Sequence, residues 1–174
     1  MARLPYADPV AVADRPLVEA ISAQRGEILH LYQMLLHSPP LTAGWLSYLT
    51  AIRQQCRLPG AIRELVIMRV AVLNRAAYEA EQHAPIALAE GLDQAQLDAL
   101  EHWQRSDLFD ARQQAVLALT DAMTRTVQVP DAVFAAAHDH FDNTAMVELV
   151  GVIAAYNMVS RFLEALAIDS RDPR

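Results

Sequence analysis

Four side chains within RELVIMRVAVLNRAAYEAEQH, residues 63 to 83, have types and spacing suited to proton transfer. A carboxylate, Glu64, heads a run of aliphatic residues, and Tyr78, Glu79 and His83 follow at helical spacing. Glu79 and His83 are four positions apart, so on one helix they lie about 40° apart around the axis and can touch. An imidazole titrates near neutrality and both accepts and donates a proton, while a neighbouring carboxylate fixes its tautomer and stabilises its cation. Glu64, followed by Leu65, Val66 and Ile67, is expected to be partly desolvated, which favours its protonated form. Glu79 is then placed to orient or charge-balance His83, and Tyr78, about 100° away around the helix, reaches the same hollow at its rim. The same spacing also has a structural reading, in which Glu79 and His83 are an exposed pair and Glu64 complements a helix dipole.

These groups meet only if the helix carrying Glu64 turns back near Asn74 and runs antiparallel to the one carrying His83. The surrounding pattern predicts such helices throughout. Residues 1–14, with Pro5 and Pro9 and no helical period, read as an extended arm packed on the body or on a neighbouring subunit. A first helix is expected over about 16–37, with an apolar stripe from Leu17 to Leu36, and a second from Pro40 to about Cys56. Helices over about 60–73 and 75–90 form the hairpin, the latter stopped by Gly91 as a left-handed cap. Asp93 and Gln96 resemble a capping box for a short helix to about Gln104, and helices over about 110–127, 131–140 and 143–166 follow. The reading is all-α, about eight helices in a single domain over 1–174, with a helical body at 15–167 and a tail at 168–174. A weak echo between LTAIRQQCRLPGAI and LTDAMTRTVQVPDAV suggests duplication of a helical hairpin, against a chance likeness of apolar patterns.

Composition narrows the function classes. A hydrophobic fraction of 53% with 20% charged residues indicates a packed globular chain. A net charge of −7 with no basic stripe disfavours nucleic acid as a partner, because that affinity comes largely from Lys and Arg displacing counterions. The one cysteine, Cys56, permits no intrachain disulfide and no cysteine metal cage, so a cytoplasmic location is expected. The opening MARLPYADPVAVADRP lacks the apolar core of a signal peptide. The apolar run after Val147 carries Glu148, Asn157, Arg161 and Glu164 and reads as a core helix, so no membrane is expected as a partner. Neither a phosphate loop nor a nucleophile elbow is present, and no cofactor is expected.

Whole-chain motifs add a family. ARLPY.DP, LHSPPL, LP..IRELVIMRVAVLN, YE...H followed by A...GL, and the late LT..MTR.V.V.D..F and ELV..I..YNMVSRF resemble the carboxymuconolactone decarboxylase family, in the branch related to alkylhydroperoxidase D, over about residues 1–167. The resemblance implies an all-α, alkylhydroperoxidase D-like subunit whose helical hairpin bears the reactive site, assembled as a homo-oligomer, often a trimer or hexamer. The branch's pattern is a glutamate, then CxxC, then a histidine four positions on. Glu64 matches the glutamate and His83 the histidine, but the cysteine positions fall on Ala76 and Glu79. A thiol peroxidase needs one thiolate to attack and a second thiol to resolve the sulfenic acid, so peroxidase activity by that route is expected to be absent. Decarboxylation of a polyanionic lactone needs cations at the acid groups, which two glutamates and a histidine do not supply unless Arg63, Arg75 or another subunit's arginine enters. Arg69, about 140° from Glu64 around their helix, is expected to face elsewhere. These readings together give a small organic molecule as the expected partner, with Glu64, His83, Glu79 and Tyr78 as the candidate catalytic set. The rival is a binding or assembly protein that kept the fold and lost the thiols.

Other polar features carry blander readings. His138 and His140, two apart, point to different sides of a helix and cannot chelate one ion. A metal on Glu64, Glu79 and His83 has suitable donors, but nothing in the resemblance calls for it, and no metal is expected. Asn157 is expected to bond backbone and Arg161 to pair with Glu164 or a neighbouring chain, with lining of the pocket by Tyr156 and Asn157 as the alternative. Cys56 is expected to be a packed residue.

Overall fold

The computed structural model describes residues 1–173, and among these it holds nine α-helices and no strand. They are α1 (Arg15–Arg25), α2 (His30–Leu35), α3 (Pro39–Thr50), α4 (Gly60–Asn74), α5 (Ala77–Ala89), α6 (Gln94–Ala99), α7 (Ala111–Arg125), α8 (Asp131–His138) and α9 (Asn143–Leu166). A π-helical turn, Ala51–Gln55, continues α3, and a 3-10 segment, Leu100–Arg105, continues α6. The chain divides into two compact units, one of residues 1–55 with 163–174 and one of residues 56–162.

In the first unit the single helix expected over 16–37 is two. Gly26 adopts a left-handed φ of 81° and its N–H closes on Ser22 O, and Leu29 is extended before α2 begins. The apolar stripe runs through both pieces, so periodicity alone did not reveal the break; the glycine did the stopping. Arg25, at the end of α1, donates from Nε to Tyr32 Oη at 2.9 Å and from Nη2 to Thr50 Oγ1 at 2.9 Å. The N-terminal arm packs within this unit: Arg3 N–H bonds Leu166 O, and Ala2 N–H and Tyr6 Oη both donate to Asp172.

The second unit is built around α4, whose residues Glu64 to Ala71 are all buried. A helix covered on every side has no polar face, which is why this stretch reads as a continuous aliphatic run. Arg75 terminates α4 in the left-handed conformation, φ 56°, and α5 starts two residues later. α4 also packs on α7, where the 1% exposed Arg69 donates from Nε and Nη2 to the two carboxylate oxygens of Asp121 at 2.6 and 2.7 Å and from Nη1 to Leu100 O at 2.6 Å. Asp93 and Gln96 form the capping box expected for α6, Asp110 and Gln113 form another for α7, and Gly91 is left-handed, φ 103°. Pro59 and Pro130, at equivalent places in the two echoing segments, each serve as the cap before α4 and α8.

α9 is long and apolar enough to cross a membrane, but 56% of its most apolar window is buried inside the fold. Glu148 on α9 accepts from the N–H groups of Arg57 and Leu58 at 2.8 and 2.9 Å, covering backbone donors just before α4.

Candidate active site

The α4–α5 hairpin brings an acid from one helix to an imidazole on the other. Glu64 lies in the second turn of α4 and His83 midway along α5, nineteen residues later in sequence, and His83 Nδ1 is 2.7 Å from Glu64 Oε2. The tight connection at Arg75 sets this register, since a left-handed residue reverses the chain without a loop. The other oxygen, Oε1, accepts from Arg63 Nε at 3.0 Å, and Arg63 Nη2 reaches Glu90 Oε1 at 2.9 Å. Tyr156 of α9 meets the imidazole edge to face, with ring centroids 5.1 Å apart.

Exposure ranks the members. The Glu64 side chain is wholly buried, whereas 9% of the His83 side chain and 12% of the Arg63 side chain are exposed. Tyr78 and Glu79, on α5, are 5% and 2% exposed. Tyr78 and Glu79 are both buried, and the carboxylate at His83 Nδ1 is that of Glu64. The i, i+4 spacing of Glu79 and His83 is a real helical neighbourhood, but it says nothing about what the opposite helix presents.

The expected protonation of Glu64 is also reversed. Burial is the largest influence and pushes its pKa up, but the hydrogen bonds and charges of His83 and Arg63 together outweigh it, and the pKa lies below the ordinary 4.5. For Arg63, burial likewise works against the cation and is outweighed by Glu64 and Glu90, so its pKa is raised. An ionised Glu64 can only accept, so Nδ1 must carry the proton of their hydrogen bond, and in the neutral ring the lone pair is on Nε2. The arrangement thus has the geometry of an oriented imidazole base.

Arg63, Glu90 and Tyr156 are absent from the candidate set read from the sequence. Adjacent residues on a helix differ by about 100°, so the spacing gave no sign that Arg63 would fold over Glu64. Asn157 proves satisfied internally: its amide donates to Thr124 Oγ1 and Ile153 O, and its Oδ1 accepts from Asn74 and from Arg161. Arg161 thus bonds Asn157, in place of the expected Glu164. Cys56 is half-buried, and burial first and Glu148 second raise its thiol pKa against the pull of Arg63, which disfavours the thiolate. Among the described residues no three His, Cys, Asp or Glu side chains are grouped to hold a metal ion.

The all-α fold is alkylhydroperoxidase D-like. An uncharacterized peroxidase-related protein with an alkylhydroperoxidase AhpD core, from Ralstonia eutropha JMP134, shares the fold at a TM-score of 0.83 and 18% identity, over 98% of this chain and 93% of that one. The debrominase Bmp8, in complex with 2,3,4-tribromopyrrole, does so at a TM-score of 0.80 and 15% identity, over 98% and 94%. The uncharacterized protein YdfG of Bacillus subtilis (strain 168) is 26% identical over 115 residues, 65% of this chain and 78% of its own. Residues 39–122, which contain the hairpin, match the model of the Carboxymuconolactone decarboxylase family.

Proposed function

We propose that this chain is a small-molecule enzyme of the carboxymuconolactone decarboxylase family in which Glu64 and His83 carry general acid–base chemistry without thiols. The observation that carries this reading is the 2.7 Å bond between Glu64 Oε2 and His83 Nδ1, in which His83 is the less buried partner. Glu64 fixes the tautomer and stabilises the imidazolium, and His83 Nε2 takes or returns the substrate proton. Tyr78 and Glu79 shape the interior side of the site. The substrate class is a small, mostly apolar organic molecule. This is supported by the halogenated heteroaromatic bound to a debrominase of the same fold. Ala76 and Glu79 stand where the alkylhydroperoxidase pattern has cysteines, so thiol peroxidase chemistry is not part of the proposal.

The proposed setting is a cytoplasmic homo-oligomer. On α9, Val147, Ala154 and Met158 share one exposed face that ends at Arg161, and this face suits contact with a second copy of the chain.

The test is turnover of lactones and halogenated aromatics by wild type and by Glu64→Gln and His83→Ala. On any substrate turned over, each substitution is expected to lower kcat/KM by about 100-fold or more. Unchanged turnover contradicts the proposal and favours the assembly-protein rival, for which the full burial of Glu64 between Arg63 and His83 is the supporting observation.

A further inference from the structure

We propose that Arg63, held between Glu64 and Glu90, is a positioning residue that sets how strongly Glu64 draws the Nδ1 proton of His83, and that Glu90 moderates it from the surface. This rests on the proton-transfer reading of the same pair and extends it to the control of base strength.

Arg63 and Glu64 form one ion pair, Arg63 and Glu90 another, and Glu64 passes the effect to His83 through its second oxygen. The side chains grade outward: Glu64 is buried, Arg63 is 12% exposed and Glu90 is 40% exposed. The pocket for the Glu90 carboxylate is built by the backbone at the start of α4. A Cβ on Gly60 would lie 1.8 Å from Glu90 Oε2, so the absence of a side chain there gives the carboxylate its place beside the helix N-terminus, where negative charge is favoured. The titratable and charged groups around this chain of contacts are Arg63 and Glu64 from α4, Tyr78, Glu79 and His83 from α5, Glu90 after it, Tyr156 and Glu148 from α9, and Cys56 before α4.

Two opposed signs follow. With Arg63 in place its cation partly balances Glu64, and less negative charge is left to stabilise the His83 cation. Removing Arg63 leaves Glu64 unbalanced and favours imidazolium. Removing the Glu90 charge turns more of Arg63 toward Glu64 and disfavours it. A purely structural Arg63 predicts no such opposition.

The experiment is a pH titration of His83 by NMR of the labelled imidazole, in wild type, Arg63→Met, Arg63→Lys, Glu90→Gln and Gly60→Ala. Arg63→Met is expected to raise the His83 midpoint by about one unit, the lower end of what a neighbouring charge does, and Arg63→Lys to restore it. Glu90→Gln is expected to lower it by about 0.3 unit, since an exposed pair is worth little, and Gly60→Ala, which displaces the same carboxylate, to lower it too. Midpoints that stay at the wild-type value, or move in the same direction for Arg63→Met and Glu90→Gln, overturn the proposal. Should Arg63→Met fail to fold, Glu90→Gln and Gly60→Ala decide it alone. The readout needs no substrate, so Arg63's role stands or falls separately from turnover: midpoints that move as stated alongside turnover indifferent to His83 remove the enzyme reading and leave this one.

Discussion

Glu64 pairs with both a cation and an imidazole at zero exposure, and its pKa is depressed despite burial. A carboxylate whose folded pKa lies below its unfolded value contributes stability that is complete above the ordinary 4.5 and is lost as pH falls through the lower, folded value. Glu64→Gln is therefore expected to cost about 2 kcal/mol at neutral pH, as for a hydrogen bond to a charged group. Thermal melts should show the gap from wild type closing as the pH falls below the ordinary 4.5. A gap that stays constant with pH contradicts an ionised Glu64. Alkylation of Cys56, whose thiol pKa is pushed up, is expected to leave turnover intact. At this scale the identity of the acid and the imidazole was legible in the sequence, because a hairpin folded near Asn74 brings Glu64 and His83 to one seam. The charge state of Glu64 was not, because it depends on how the bonds and charges of His83 first and of Arg63 second offset burial.

The hairpin between α4 and α5 depends on two local devices. Arg75 holds a left-handed φ of 56° that glycine adopts without strain, so Arg75→Gly is expected to stabilise the unit by about 0.5–1 kcal/mol, read as a rise in Tm. On the other side of α4, Asp121 accepts both arms of the buried Arg69 and is also within 3.3 Å of Trp103 Nε1. Asp121→Ala strands a buried guanidinium and is expected to cost about 3 kcal/mol by denaturant unfolding. Elements bounded by proline or by a side-chain cap were legible: α4 after Pro59 and α6 after Asp93. Elements whose limits depend on tertiary packing were not. The continuation of α3 as a π turn at Ala51–Gln55 and of α6 as a 3-10 segment at Leu100–Arg105 keeps the apolar residues of each run in the sequence pattern while changing the backbone period beneath them.

At the scale of the chain, the all-α class was legible from pervasive helical period, and the likeness to the family whose model matches residues 39–122 from motifs spread along the sequence. The division into a unit of residues 1–55 with 163–174 and another of 56–162 was not, since α9 runs without a sequence break through residue 162. The exposed face of Val147, Ala154 and Met158 belongs to the second unit and is the proposed contact with a second copy. Light scattering is expected to give a trimer or hexamer of the 19.3 kDa chain, and Val147→Asp with Met158→Asp to lower that mass. A monomeric wild type contradicts the proposed assembly.

The central claim is that an ionised Glu64 holds the proton of its hydrogen bond on His83 Nδ1 and leaves the lone pair of the neutral ring on Nε2. Nitrogen-15 NMR of the imidazole, recorded above its titration midpoint, reads this directly. The Nδ1–H tautomer is predicted in wild type and should lose its dominance in Glu64→Gln; a neutral His83 that carries its proton on Nε2 in wild type contradicts the account.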